Sequence, residues 1–294
     1  MHCFPCSVTN CTTMEFTLLE IARDQWSALR DLYTHDRTNL TGFDLINYFI
    51  NYKASSDADL IKIYTTDKDW ITHGSYILIH QLDNRAYVYL NTLDPKSLED
   101  LKALLCYLDL KVFHWICGYG EHLKPLVEQY WLNLGQDLCK LEHLGTIVYH
   151  LPKSKIPCWK PQFKSLINVG YLSAKHAALV DQHWAYRTPD SLPWIRGLIE
   201  KNASAGVFDA RGELLAWCLR SPHGSLCNLH VLSSHRRQGL GSLAVLFMAN
   251  EIKSFGSEVL ATVVFDNEGS KKLFENLGFK PINKLYWAVM PPLH

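Results

Sequence analysis

Apolar and polar positions in the first half of the chain predict an alternation of helices and strands. Apolar residues recur at helical spacing in the predicted helices and alternate with polar residues in the predicted strands. The predicted elements are helices at 24–33 and 43–51, strands at 60–65, 75–80 and 86–90, a helix at 95–107, a strand at 112–117 and a helix at 121–132. Such a mixture predicts an α/β domain with a central sheet.

The second half repeats this kind of order. Ser173 and either Asp190 or Ser191 are suited to cap two helices, and Gly256 is suited to end a later one. The predicted elements are helices at 173–184 and 191–201, strands at 205–209, 214–220 and 226–232, a helix from 240 that ends at 256, a strand at 259–265, a helix at 268–276 and a strand at 285–290. The pattern predicts a second α/β domain.

A segment without periodicity separates the halves. Residues 151–162, LPKSKIPCWKPQ, contain three prolines and three lysines, which is typical of a surface connection. For a chain of 294 residues, we therefore predict a domain at 1–150, a linker at 151–162 and a domain at 163–294. Each half also contains a strand, a turn and a helix followed by Asn-Leu-Gly, at 133–135 and 276–278, so duplication is a hypothesis.

Charge and cysteine usage exclude several classes of protein. The 29 basic and 29 acidic residues balance, so we expect no general affinity for nucleic acid or membranes. Nine cysteines, most of them isolated, are typical of free thiols in a reducing compartment. His2, Cys3, Cys6 and Cys11 could surround a metal, but they have no second cluster, and we predict no metal site. Without a recognisable targeting segment or a long apolar run, a cytoplasmic location is predicted.

One loop carries the strongest chemical signal. A predicted strand leads into Arg236, Arg237 and the pair Gly239 and Gly241, and a predicted helix follows. The first N–H groups of a helix and two glycines without Cβ atoms suit close approach of a phosphate, and arginines add positive charge. The alternative is that the glycines only shape a turn. The matching segment of the first half, 94–97, has an acid and no glycine, so we expect an anion site only in the second half.

The sequence resembles the Gcn5-related N-acetyltransferase (GNAT) superfamily at two places. The signature of Arg or Gln, two residues, Gly, one residue, and Gly or Ala is present as Arg236, Gly239 and Gly241. A later strand–helix signature is similar to the segment that contains Asn267, Ser270, Leu273 and Gly278-Phe279. The resemblance implies an α/β (α+β) fold of two tandem GNAT-like domains, each a mixed central sheet flanked by helices, with a degenerate N-terminal domain.

The resemblance also implies a cosubstrate, acetyl-CoA or another acyl-CoA. In the superfamily the loop binds the pyrophosphate, and the pantetheine arm lies between two diverging strands. A backbone N–H near Val231 or Leu232 would then polarise the thioester carbonyl. The residues implied for CoA binding are Leu229, Val231, Leu232, Arg236, Arg237, Gln238, Gly239, Leu240, Gly241, Ser242, Asn267, Ser270 and Phe274.

Within this superfamily, residues 172–186, LSAKHAALVDQHWAY, are similar to the glycine N-acyltransferase family. This similarity implies transfer of an acyl group to the amine of a small acceptor, such as glycine or another amino acid, and the mitochondrial matrix as an alternative location. Trp184, Tyr186 and Arg187 are the candidate acceptor-binding residues, because the Arg187 guanidinium could pair with an acceptor carboxylate. Aromatic packing and a solvated arginine are the alternatives.

Three features depart from the family pattern, and one of them is the acceptor-facing turn at 184–187, which is not the family's glycine-rich version. Ser225 stands where the family has its general-base Glu, and a serine accepts no proton from an ammonium group near pH 7. Phe274 stands where many members have a Tyr that protonates the leaving thiolate. His223 and His230 are candidate bases, although strand alternation predicts that His230 faces away from Ser225 as a packed residue. These departures leave open an acyl-CoA-binding module with little turnover.

Overall fold

The computed structural model describes residues 18–35, 40–51, 60–66, 68–82, 85–94, 97–106, 108, 112–157, 166–189 and 191–290. These residues divide into two compact units. The first contains the described residues up to Thr146 together with Lys284–Met290, and the second is Ile147–Asn283. The chain passes between the units within two strands, His143–Leu151 and Lys280–Met290. Each unit is described by itself.

The first unit is a mixed sheet with helices. Its elements are β1 (Leu19–Glu20), α1 (Trp26–Leu32), α2 (Leu40–Ile50), β2 (Ile61–Thr65), α3 (Trp70–His73), β3 (Tyr76–Leu82), β4 (Arg85–Asn91), α4 (Leu98–Leu105), β5 (Phe113–Gly120) and α5 (Lys124–Asn133). Strands β1 to β4 pair antiparallel in order, and β4 pairs parallel with β5. Leu285–Met290 then pairs antiparallel with β5.

Both faces of the first sheet are buried, which explains the continuous apolar run in β3. Ile77 packs with the core that contains Leu101 and Leu104 of α4, whereas Leu78 packs with Leu29 of α1 on the other side. Because successive side chains of a strand point to opposite faces, a strand covered on both faces needs apolar residues at consecutive positions.

The second unit is also a mixed sheet. Its elements are the end of β6 (His143–Leu151), β7 (Ile167–Gly170), α6 (Ala177–Gln182), α7 (Leu192–Lys201), β8 (Ser204–Asp209), β9 (Leu214–Arg220), β10 (Ser225–Val231), α8 (Leu240–Ser254), β11 (Val259–Val264), α9 (Glu268–Asn276) and the start of β12 (Lys280–Met290). The strand order within this unit is β6-β11-β10-β9-β8-β7. Neighbouring strands from β7 to β10 pair antiparallel, and β10 pairs parallel with β11.

Strand β9 separates two cores of the second unit. Ala216 and Cys218 pack with Ala244 and Met248 of α8, whereas Trp217 packs on the opposite side with residues of α6 and α7. All six side chains from Leu214 to Leu219 are buried. This double burial positions β9 and β10 between two helical layers.

The predicted α/β fold class is confirmed, and most predicted elements are present with small shifts at their ends. The predicted helix 173–184 is a 3-10 turn at Ala174–His176 followed by α6, and β12 begins five residues before its predicted start at 285. Strands β6 and β7 were not predicted, because the burial of β6 does not alternate and β7 has only four residues.

The predicted domain boundaries stay a prediction, and the compact units place Lys284–Met290 with the first half. Several predictions fall outside the described residues. These are the arrangement of His2, Cys3, Cys6 and Cys11, the cap at Asp190, positions 95 and 96, and linker residues 158–162.

Candidate functional site

The two central strands of the second unit diverge. The parallel pairing of β10 with β11 joins Ser225 to Leu260 and Leu226 to Ala261. Beyond these pairs, β10 continues to Val231, and the described residues of β11 do not pair with that part. A gap between two strands leaves backbone groups without sheet partners, so an extended ligand can take their place.

A β-bulge changes which residues of β10 share a face. Against β9, Cys227 pairs with Leu219 and His230 pairs with Trp217. An advance of three residues along β10 therefore corresponds to an advance of two residues along β9. Asn228, inside the bulge, has a φ of 49°, which is uncommon for a residue other than glycine. An extra residue in one strand reverses the alternation beyond it.

The expectation that His230 faces away from Ser225 is therefore wrong. Leu226 and Val231 pack in the core that contains α8. His230 instead stacks on Trp217, which packs with α6 and α7. Ser225 lies on this second side too, because its Oγ is 3.4 Å from Oγ1 of Thr262, and the neighbours of Thr262 on β11 point toward α8. The bulge brings His230 and Ser225 to one face.

Backbone directions distinguish the two candidate N–H donors. The Leu232 N–H donates to the Leu215 carbonyl on β9 at 2.9 Å, so it is already paired. The prediction that Leu232 polarises a thioester is thus unsupported by this geometry. In an antiparallel pair, the N–H one residue earlier points away from that partner strand. The Val231 N–H accordingly points toward the gap beside β11.

The loop after β10 joins the strand to the longest helix of the second unit. A 3-10 turn at Ser233–His235 leads to Arg237, with a φ of 62°, and Gly239, with a φ of 81°. Gly239 precedes α8 and offers no side-chain cap, so the first N–H groups of α8 have no acceptor within the helix. Arg236 and Arg237 are exposed, and the loop contains no acidic residue. The arrangement suits an anion.

Gly241 lies where three elements meet. A Cβ atom built at this position would be 3.1 Å from Cδ1 of Leu273 on α9 and 3.4 Å from Cγ2 of Val231 on β10. The missing side chain therefore allows the first turn of α8 to lie close to both neighbours.

The second signature has a structural role at its start and in its middle. Oδ1 of Asn267 accepts from the Ser270 N–H at 3.0 Å and caps α9. Phe274 is 2% exposed and stacks on Tyr149, with ring centroids 6.3 Å apart. Such burial argues against direct contact between Phe274 and a cofactor, and it gives Phe274 a packing role.

The candidate acceptor-binding residues lie between α6 and α7. Trp184 stacks on Trp194 at a centroid distance of 5.0 Å, and Tyr186 contacts Trp184 edge-on. Burial and the nearby charge of Asp266 raise the pKa of Tyr186, which places this loop near the end of β11. Arg187 donates from Nε to Oδ2 of Asp181 at 2.9 Å.

Arg187 has a structural partner as a result. The Asp181 carboxylate is buried and also accepts from the Ser191 hydroxyl. This ion pair ties the loop to α6 and occupies the Nε edge of the guanidinium. Only the outer edge of Arg187 is left to meet the predicted acceptor carboxylate.

Hydroxyl groups occupy the position where the superfamily has its base. Ser225 is 1% exposed, and its Oγ is 2.9 Å from Oγ of Ser221 and 3.4 Å from Oγ1 of Thr262. His223 lies in the tight turn before β10 and is 4% exposed. A buried serine among hydroxyls does not act as a proton acceptor near pH 7.

Three residues at the site were missed by sequence reasoning. The Trp217 indole is fully buried, and its Nε1 has no hydrogen-bond partner among the residues that the structure describes; Nδ2 of Asn228 is likewise buried and unpaired among them. His183, at the end of α6, makes a tilted ring contact with His230, with ring centroids 4.9 Å apart. No sequence signal identifies these residues, because the bulge decides which side chains meet.

We expect the stability of the second unit to fall between neutral and mildly acidic pH. Burial lowers the pKa values of His176 and His230, so the unfolded chain binds protons that the folded chain does not. The stabilisation is complete above the usual histidine pKa of about 6.5 and is lost as pH falls toward the lowered values. Urea unfolding midpoints at about pH 7.5 and about pH 5.5 measure this change. An unchanged midpoint would contradict it, and His230→Phe should reduce the difference.

Comparisons with known proteins agree with this geometry. Residues 204–288 match the model of the FR47-like protein family. The chain is 27% identical over 128 residues to human glycine N-acyltransferase-like protein 2, and the match spans 41% of this chain and 42% of that relative. The matched region is therefore less than half the length of the relative.

Solved structures extend the similarity to most of the chain. An X-ray structure of a Drosophila protein has a TM-score of 0.83 at 21% identity, covering 95% of this chain and all of the other. A GCN5-related N-acetyltransferase from Sphaerobacter thermophilus has a TM-score of 0.52 at 11% identity and covers 95% of this chain and 96% of its own. At such identities, these structures show the fold.

The chain is thus similar to the FR47-like protein family over residues 204–288 and to a glycine N-acyltransferase-like protein over 128 residues, and its fold is similar to that of a solved GCN5-related N-acetyltransferase. The predicted resemblance and the tandem fold are confirmed, whereas the degeneracy of the first half stays a prediction. Among the residues that the structure describes, no helix is both long and apolar enough to cross a membrane. The same residues contain no group of three or more histidine, cysteine or acidic side chains arranged to hold a metal.

Proposed function

We propose that this protein is an acyl-CoA-dependent N-acyltransferase. The proposal is that the second unit binds acetyl-CoA or another acyl-CoA and transfers the acyl group to the amine of a small acceptor, such as glycine or another amino acid. Similarity to the FR47-like protein family and to a glycine N-acyltransferase-like protein supports acyl transfer in general. The observation that carries the proposal is the gap between β10 and β11 beside the glycine-containing loop.

The binding mode follows from the groups around that gap. The first N–H groups of α8 and the exposed guanidinium groups of Arg236 and Arg237 would hold the pyrophosphate. The Val231 N–H, which points into the gap, would donate to an oxygen of the extended arm or of the thioester. Gly241 would keep the entrance to α8 free of a side chain.

The reaction requires no covalent enzyme intermediate in this proposal. The acceptor amine attacks the thioester carbonyl directly, and the C–S bond breaks as the amide forms. Burial raises the pKa of the Cys218 thiol and raises that of Cys227 to about 12, so neither is a ready nucleophile near pH 7. The protein would contribute position and charge.

Release of free CoA thiol from acetyl-CoA in the presence of pooled amino acids and other small amines tests the proposed activity. We expect release that depends on protein and amine, together with saturable CoA binding by calorimetry. Binding without release would favour the alternative, an acyl-CoA-binding module, which the absence of a carboxylate at Ser225 motivates. Absence of binding would contradict both functions.

We also expect one CoA molecule for each chain. The loop at 94–97 in the first half contains Asp94 and no glycine, so it repels a phosphate where the second half attracts one. Calorimetric titration of the full chain measures the stoichiometry. A second site that survives loss of the first through Gly241→Asp would contradict this expectation.

A further inference from the structure

Two histidine rings of the second unit have no hydrogen-bond partner among the described residues. These are His183 at the end of α6 and His230 on β10. The other four histidines of the unit have other interactions. His150 contacts Glu258, His176 contacts Ser173 and His235 contacts Ser234, and His223 also has an interaction partner. A ring nitrogen without a partner is available to accept a proton from a ligand.

The position of His230 suits such a role. Its ring stacks on Trp217, at a centroid distance of 4.7 Å and an interplanar angle of 22°, and makes a tilted contact with His183, at 4.9 Å and 34°. It adjoins Val231, whose N–H points into the gap between β10 and β11. The bulge at Asn228 places the ring on the face that carries Ser225.

We propose that His230 is the general base of the acyl transfer, held in place by Trp217 and His183. The proposal rests on the proposed function and names the group that replaces the family carboxylate. The acceptor would approach from the side of the α6–α7 loop, where Tyr186 lies near Asp266 at the end of β11. His230 and His183 line that same side.

Burial and the groups around His230 favour its neutral imidazole. Burial lowers the pKa of His230 most, and the neighbouring His183 at the end of α6 and Arg236 in the loop after β10 lower it further. Trp217 on β9 has no charge, and the Asp181 carboxylate of α6 accepts hydrogen bonds from Arg187 and Ser191. A neutral imidazole near pH 7 is the form that accepts a proton.

The proton balance of the step is complete. An acceptor ammonium gives one proton to the neutral imidazole of His230, and the resulting amine forms the C–N bond at the thioester carbon. As the C–S bond breaks, the nitrogen loses its second proton to solvent, and the imidazolium returns its proton to the leaving thiolate. Phe274 cannot supply that proton, so one residue serves both transfers.

The test compares wild type with His230→Phe, which keeps a ring against Trp217 and removes the titratable nitrogens. With an amino-acid acceptor near pH 7, we expect the variant to lose a hundredfold or more in kcat/KM, the order of general-base catalysis. Its rate should rise with pH toward the pKa of the acceptor, whereas the wild-type rate should level off near neutrality. With hydroxylamine, which is largely unprotonated near pH 7, the loss should be less than about tenfold after subtraction of the uncatalysed reaction.

Two controls separate the possible failures. CoA affinity by calorimetry should be the same in wild type and His230→Phe, and His150→Gln, on β6 beside Glu258, should keep the wild-type pH profile. Equal losses with both nucleophiles, a variant with the wild-type profile, or a wild type that binds CoA without turnover would each overturn the assignment of His230. A wild type that binds no CoA would instead overturn the proposed function itself.

Discussion

Replacement of Gly241 by aspartate is expected to weaken CoA binding at least tenfold, which corresponds to about 1.4 kcal/mol. The new carboxylate would stand in the first turn of α8, where the proposed pyrophosphate lies, and like charges repel. The same carboxylate interacts favourably with the positive end of the helix dipole in the free protein. Calorimetric titration with acetyl-CoA measures the change.

Gly241→Ala is the matched control for this experiment. It places the same Cβ near Leu273 and Val231, at 3.1 and 3.4 Å, but adds no charge. We expect a smaller loss of affinity in the alanine variant, because the end of the Leu273 side chain can move by a few tenths of an ångström. Equal affinities for wild type and a folded Gly241→Asp protein would contradict the location of the pyrophosphate.

Replacement of Trp217 by alanine should destabilise the protein by about 3–5 kcal/mol. The indole is fully buried among residues of α6, α7 and β9, and its removal leaves a cavity between the sheet and two helices. The variant should also lose the ring that supports His230. Urea unfolding, followed by near-ultraviolet circular dichroism, measures the loss of free energy.

Trp217→Phe separates packing from hydrogen bonding. The phenyl ring retains much of the buried surface, and the substitution removes an indole N–H that has no acceptor within the described part of the chain. An unpaired buried donor costs about 1–3 kcal/mol, so relief of that cost should offset part of the lost packing. We expect Trp217→Phe to lose about 1 kcal/mol. A loss as large as that of Trp217→Ala would show that Nε1 has a partner in solution.

The sequence predicted the regular parts of the second unit well. The strand Leu214–Arg220 and the helix Glu268–Asn276 have the predicted ends. The apolar run of the strand and the cap of the helix at Asn267 both depend on residues that are close together in the sequence. The glycine loop could also be predicted from the sequence, because Gly239 has a positive φ and Gly241 lies close to Leu273 and Val231, and both situations favour glycine.

What the sequence could not predict depends on partners distant in the chain. The face of His230 follows from one extra residue at Asn228, and a bulge has no dependable signal in a short strand. The salt bridge of Arg187 with Asp181 was not predicted, because the sequence pattern indicated a ligand-binding role for the loop that contains Arg187. Strand β6, beside the expected linker, was not predicted, because its buried positions do not alternate regularly.

Strand β12 has a consequence for the order in which the protein folds during synthesis. The first unit contains Leu285–Met290, which pair with β5, but the ribosome must make residues 147–283 before it reaches them. Until then, the edge of β5 that will accept β12 stays open on the nascent chain, and an open edge invites pairing with other strands. Completion of the first unit therefore waits for translation of the second, so the usual rule that N-terminal domains finish folding first does not hold for this chain.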